Sequence, residues 1–298
     1  MASGVSQACL NSTLTTMMNF LPTLYRQLRR RWFYGLMSVV MALGLVLGTP
    51  QPGQALSFLE LIFRGIQVIQ LSNMSDSQEV QIGGQINQQL VSQQFTLYNN
   101  QSVNTYIDEI GQALVPYSDR SDIPYVFQVV DDEQVNAFAT MGGYVYVTTG
   151  LIEEADNEAE LASVIGHEIG HIVGRHAVKQ MRERAIAAGV ASAAGLDRNT
   201  AVAIGVELAI NRPNSRQDEY EADELGLANI VEAGYAPSAM VSFMEKLLGG
   251  GSVPTFLSTH PNTADRIERL NGMIDTETAD VGEGLDGAAY TARIAPLG

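Results

Sequence analysis

His167-Glu168-Ile169-Gly170-His171 is the stretch that decides how this chain folds and what it can hold. Residues 159–178 around it contain no proline, and their apolar side chains recur at three and four, which predicts a helix. Positions four apart on a helix differ by about 40° in direction, so both imidazoles leave one face about one turn apart. Two neutral imidazole nitrogens so spaced can close on one Zn²⁺ at about 2.0–2.1 Å. Glu168 points about 100° away, too far round to be an easy third ligand, yet it can reach a water beside the metal. That is the geometry of a general base in metal-assisted hydrolysis of a peptide bond. The chain has only four histidines, His167, His171, His176 and His260, so chance rarely produces this pattern.

A catalytic zinc site needs a third protein ligand. A third histidine six residues after His171 is excluded, because position 177 is Ala177 and His176 falls one residue early. On a continuing helix His176 points about 140° from His171, as a surface residue or one supporting a ligand from behind. The alternative is a glutamate on a later helix, and Glu183, Glu207, Glu219, Glu221 and Glu224 come into question. Glu183 is too near in sequence, and Glu207 has no acidic partner four residues on. Glu219 has one in Asp223, which is placed to orient a ligand imidazole through its free N–H. Glu221 has Leu225 at that position. Pro213-Asn214-Ser215 predicts the start of the Glu219 helix, and Gly234 with Pro237 its end. His167, His171 and Glu219 are therefore the candidate ligands, with Asp223 behind them and Glu168 as base.

Four elements together resemble the zinc metallopeptidase family that includes the CAAX prenyl proteases, HtpX and BepA. They are Asn136-Ala137-Phe138-Ala139-Thr140 with Gly142-Gly143-Tyr144-Val145-Tyr146-Val147, then His167-Glu168-x-x-His171, then Ser215-Arg216-x-x-Glu219-Tyr220-x-Ala222-Asp223, then Ser258-Thr259-His260-Pro261 with Arg266. The resemblance covers roughly residues 75–275 and implies an α+β, mostly helical zincin-type domain with a small sheet ahead of the His167 helix. It implies that His260 and Arg266 line the active site. His260 is then an oxyanion stabiliser or a fourth zinc ligand that plugs the open position. The plainer reading is a histidine held in a turn by Pro261, with Arg266 on a solvated helix face. Residues 143–149 alternate as a half-buried strand. The resemblance makes that strand an exposed edge, Gly143, Tyr144, Val145 and Tyr146, against which an extended substrate can pair.

Gly166, Gly170 and Gly174 form a stripe along one side of the predicted helix. Each costs about 1 kcal/mol of helix stability relative to alanine, so another backbone is expected to pack there.

The ends bear on compartment. Arg26, Arg29, Arg30 and Arg31 precede an apolar run at 32–47, followed by Gly53-Gln54-Ala55, which predicts a signal peptide over 1–55 with cleavage after Ala55. The alternative is a retained anchor at 32–48. Cleavage removes four arginines and no acid, taking the net charge from −16 to −20, so nucleic acid is not expected as a partner. It also removes Cys9, the one cysteine, and with it any thiol chemistry. Residues 56–71 resemble an amphipathic helix that lies on a membrane surface or packs on the domain. Residues 185–210 predict helix–turn–helix near the site. Asp197, Arg198 and Asn199 interrupt them, against a membrane span and unlike HtpX and the prenyl proteases. The expected plan is a peptidase domain at 56–275 and an acidic, Gly-rich tail at 276–298, without the helical-repeat domain of BepA. The expected activity is zinc-dependent cleavage of exported or misfolded polypeptides in an extracytoplasmic, periplasmic setting. Rival readings are a self-inhibited protease and a chaperone-like binder; oligomeric state is not legible.

Overall fold

The computed structural model describes residues 68–69, 71–189, 196–211, 214–250 and 254–297. The predicted signal or anchor lies outside these residues, as does nearly all of the predicted 56–71 helix. At its described end, Val68–Ile69, the chain is not helical but forms a short strand, β1. Among the described residues no helix is long and apolar enough to cross a membrane.

Helices α1 (Asp76–Gln93) and α2 (Gln101–Leu114) come first. Strands β2 (Val126–Val130), β3 (Ala137–Thr140) and β4 (Tyr144–Thr148) follow. A short α3 (Thr149–Glu154) leads to α4 (Glu158–Val173) and α5 (His176–Ala187). Strand β5 (Leu196–Asp197) pairs antiparallel with β1 and runs into α6 (Arg198–Asn211). Then come α7 (Arg216–Glu232), α8 (Ser238–Gly249), α9 (Thr255–Thr259), α10 (Thr263–Met273) and α11 (Gly287–Ile294). The architecture is α+β, mostly helical, as the sequence predicts.

The three-stranded sheet has the order β2-β4-β3. This corrects one expectation: Gly143, Tyr144, Val145 and Tyr146 do not form an exposed edge. Strand β4 is central, parallel to β2 (Val126 opposite Tyr144) and antiparallel to β3 (Ala137 opposite Val147). The cause is the tight return through Gly142 and Gly143, with φ of 80° and 94°, which folds β3 back onto β4. A Cβ at Gly143 would lie 1.9 Å from the Pro124 carbonyl oxygen, so glycine also lets β2 approach from the other side. Tyr146 is buried as well, stacked on Phe138 and donating to Asn87 Oδ1 on α1 at 2.8 Å. The alternation over this strand therefore separates two cores, not core from solvent. Val145 and Val147 join the cluster of α2 and α4, and Tyr146 joins that of α1 and α6. The outer strands are β2, bridged at Val130 by Leu97, and β3.

Helix α4 is the central element. Asn157 caps it, accepting from Glu160 N at 2.9 Å, and every residue from Ala159 to Ile172 is buried. It stops earlier than predicted, because Gly174 ends it and Arg175 takes a left-handed φ of 54°. Arg175 is tied there by bonds to Met74 O at 2.6 Å and Glu79 at 2.9 Å. Helix α7 starts at the Ser215 cap and ends ahead of Gly234, as its flanking signals predict.

Within the acidic, Gly-rich segment, residues 276–297 pack in part on the domain. Gly284 O accepts from Ala159 N at 3.0 Å, and the buried Tyr290 donates to Ile152 O at 2.6 Å. The small residues Gly284 and Ala159 allow that approach, and α11 packs on α2, with Tyr290 reaching α3.

The glycine stripe meets α7. A Cβ at Gly170 would fall 2.5 Å from Ala222 O and 3.0 Å from Ala222 Cα. Gly170→Ala is expected to destabilise the protein by about 1–3 kcal/mol through overpacking, read from urea unfolding. An unchanged midpoint would show that the two helices part without cost.

Candidate metal centre

Helix α4 supplies His167, Glu168 and His171; α7 supplies Glu219 and Asp223. His260 follows α9 directly, its ring stacked on Phe256 with centroids 4.4 Å apart. Arg266 comes from α10.

Four donors converge. His167 Nε2 lies 3.1 Å from His171 Nε2 and 3.2 Å from His260 Nδ1. Glu219 places its oxygens 3.5 Å from His167 Nε2, 3.3 Å from His171 Nε2 and 3.2 Å from His260 Nδ1. The edge of a tetrahedron with bonds of about 2.0–2.1 Å is about 3.3 Å, so these spacings suit one small cation with nitrogen and carboxylate ligands. All four residues are buried.

The electrostatics favour a cation too. Burial opposes ionisation of Glu219, but the neighbouring His260 and hydrogen bonds with three imidazoles hold its carboxyl well below the ordinary range. Asp223 is likewise held down, burial being outweighed by its bonds to Arg266. Two carboxylates against one guanidinium leave one negative charge, met in the metal-free site by a proton on His167 and on binding by a metal ion.

The supports behind the ligands are explicit. Asp223 Oδ1 lies 2.9 Å from His167 Nδ1, leaving Nε2 to face the other donors. Arg266 is fully buried and donates to both Asp223 oxygens, at 2.7 and 2.6 Å; its Nη1 lies 2.8 Å from Glu219 Oε2. The solvated-face reading of Arg266 is thereby corrected: it is buried within the site, bridging Asp223 and the candidate ligand Glu219.

Glu168 is also buried, and its Oε1 has no hydrogen-bond partner. It lines a cavity of about 90 Å³ together with His171, His260, residues of β3 and the α6 side chains Leu208 and Ala209. The predicted helix–turn–helix thus contributes α6 as one wall. His260 Nε2 stands 3.4 Å from Glu168 Oε1 and 3.4 Å from Ala137 O of β3.

One polar residue escaped the sequence reading, and another takes one of the two places expected for it, beside a ligand. Asn214 Nδ2 is 3.4 Å from both His171 Nε2 and His260 Nδ1, although the sequence marks it only as part of a helix start. His176 is buried against His171, because the left-handed Arg175 breaks the helix that would have turned it away.

This fold and this set of buried donors define a metalloendopeptidase. The description "Peptidase family M48" matches residues 101–274, and the chain belongs to that family. It is 32% identical over 224 residues to the beta-barrel assembly-enhancing protease of Escherichia coli (strain K12), covering 68% of this chain and 46% of that protein. Against the Yersinia pestis protein of the same description it is 32% identical over 199 residues, 58% of this chain and 40% of the relative. It is 38% identical over 149 residues to the mitochondrial metalloendopeptidase OMA1 of Arabidopsis thaliana, 48% of this chain and 30% of the relative. The chain thus spans less than half the length of these curated relatives.

One consequence is measurable. Burial and Arg266 disfavour a charged His167, but its bonds to Asp223 and Glu219 outweigh them and push its pKa up from 6.5 to about 9. Burial drives His171 down to about 4, so that ring is already neutral at neutral pH. Below about pH 9 the metal-free site therefore holds a proton on His167 that a metal ligand cannot keep. Calorimetry near neutral pH, in buffers of different ionisation enthalpy, should read about one proton released per Zn²⁺ bound, vanishing by about pH 10. A pH-independent count would contradict this charge state.

Proposed function

We propose that this protein is a zinc-dependent endopeptidase that cuts extended segments of exported or misfolded polypeptides in an extracytoplasmic compartment, serving envelope protein quality control. The observation that carries the reading is the buried Glu168, which lines the cavity beside the converging donors and whose Oε1 makes no hydrogen bond, only a 3.4 Å approach to His260 Nε2. His167, His171 and Glu219 would hold the zinc, which when bound acidifies water and polarises a scissile carbonyl. Glu168 takes the proton of the attacking water and passes it to the leaving amine. Asp223 and Arg266 keep the ligand set oriented and its charge balanced. The substrate pairs with the open flank of β3, not with β4. Asn136 O accepts from Thr148 N on β4, so the next carbonyl along, that of Ala137, faces outward, where a substrate strand can reach it.

The compartment rests on the arginine cluster and apolar run before Ala55. The role in envelope protein quality control is carried over from the relatives described as beta-barrel assembly-enhancing proteases.

A second reading has its own observation. His260 occupies a fourth donor position and also lies against Ala137 O, blocking the zinc's open position and the β3 flank together. With a cavity of only about 90 Å³, this is a self-inhibited arrangement that a partner or substrate must open. A pure chaperone-like binder has no use for Glu168 in this place.

Glu168→Gln should retain about one zinc per chain and lose casein cleavage by a factor of about 10² or more. His260→Ala should raise cleavage severalfold if His260 blocks the site. Equal cleavage by wild type and Glu168→Gln would overturn the peptidase reading.

A further inference from the structure

We propose that His176 is a positioning residue for the metal centre: it fixes the ring of His171 through an imidazole–imidazole hydrogen bond. The inference rests on the metal-site reading above and extends it to a residue that touches neither metal nor substrate.

Three observations carry it. First, His171 Nδ1 and His176 Nδ1 are 2.8 Å apart in a buried setting. Since His171 presents Nε2 to the other donors, its one remaining proton sits on Nδ1 and is donated to His176 Nδ1. The proton of His176 is then on Nε2, which lies 3.3 Å from Glu221 Oε2 and 3.8 Å from Asp218 Oδ1. Every ring nitrogen in this relay has a partner of the right kind, with a carboxylate at its outer end. Asp218 is itself held by Lys179 and the Ser215 cap.

Second, the backbone is shaped for this ring. A Cβ at Gly174 would lie 2.4 Å from His176 Nε2 and 2.7 Å from Cε1. The stripe Gly166, Gly170 and Gly174 thus has two purposes. Gly166 and Gly170 admit α7, whereas Gly174 admits the imidazole of His176. Third, the left-handed turn at Arg175 brings His176 back onto His171. That turn is clamped by Glu79, which also binds Arg120, while Arg120 donates to Ile172 O at 2.8 Å.

The two ligands of α4 are therefore supported differently. His167 leans on a carboxylate, Asp223, already neutralised by Arg266. His171 leans on an imidazole, which orients it without adding another negative charge to the buried set. Loss of such a support usually lowers metal affinity about 10–100-fold.

The test uses the full chain, Zn²⁺ competition against a chromophoric chelator, and the visible spectrum of the Co²⁺-substituted protein. His176→Phe keeps the bulk and removes the acceptor. It should weaken Zn²⁺ binding about 10–100-fold and alter the Co²⁺ bands. His176→Gln, whose amide oxygen can accept the same proton, should recover most of the affinity. Gly174→Ala, which displaces the ring without touching a ligand, should reproduce the His176→Phe effect. Melting of the metal-free proteins separates this from general destabilisation. Wild-type affinity and spectrum in His176→Phe would overturn the proposal, as would equal loss of affinity in the Phe and Gln variants. A wild-type chain that binds no Zn²⁺ would instead overturn the metal-site reading beneath it.

Discussion

The backbones of α4 and α7 touch, and the site depends on that contact. Gly170 faces the main chain of Ala222, and Gly226 faces that of His167, where a Cβ would come within 2.9 Å of His167 N. Helices in ordinary contact lie about 8–10 Å apart because side chains hold them off. Here small residues on both partners remove that spacer. That approach lets Glu219 place its oxygens 3.3–3.5 Å from the nitrogens of His167 and His171. The same approach sets Asp223 one turn further along, against His167 Nδ1. A stripe that lowers helix propensity thus positions the donor set.

Bringing these groups together concentrates charge among buried side chains. The structure answers with pairing at each step. Arg266 spans Asp223 and Glu219, and the imidazoles share the remaining carboxylate oxygens. Glu168 alone keeps an oxygen without a hydrogen-bond partner among these site residues, next to the cavity. An uncompensated polar atom in a buried site costs about 1–3 kcal/mol, so its persistence is most simply explained by the proton transfer assigned to it.

Much of this was legible in the sequence because it is local. The pair His167 and His171 follows from helix periodicity, and Glu219 with Asp223 from an i, i+4 relation between well-marked helix ends. What was not legible depends on tertiary placement. Alternation in β4 shows two faces but not what covers them, so Tyr146 gave no sign that α1 would bury it. Whether a strand is central or an edge depends on which neighbours arrive, and Gly142-Gly143 hinted only at a turn. For His176 the sequence left a surface place and a ligand-supporting place open; the left-handed Arg175, which helix periodicity cannot foresee, decides for the second. Arg266 stood out only through its place after His260-Pro261, and its bond to Asp223 and Glu219 was not legible because these lie 43 and 47 residues earlier on a different helix. The acidic composition of 276–298 suggested solvent exposure, while the few residues that pack there, Gly284 and Tyr290, are sparse within it.

The central claim is that one metal ion sits among His167, His171, Glu219 and His260. Anomalous diffraction at the zinc edge, from crystals of the zinc-loaded full chain, tests it most directly. The account predicts a single strong peak within about 2.0–2.2 Å of His167 Nε2, His171 Nε2 and a Glu219 oxygen. A peak bound elsewhere, or no peak in protein shown to be folded, would contradict it.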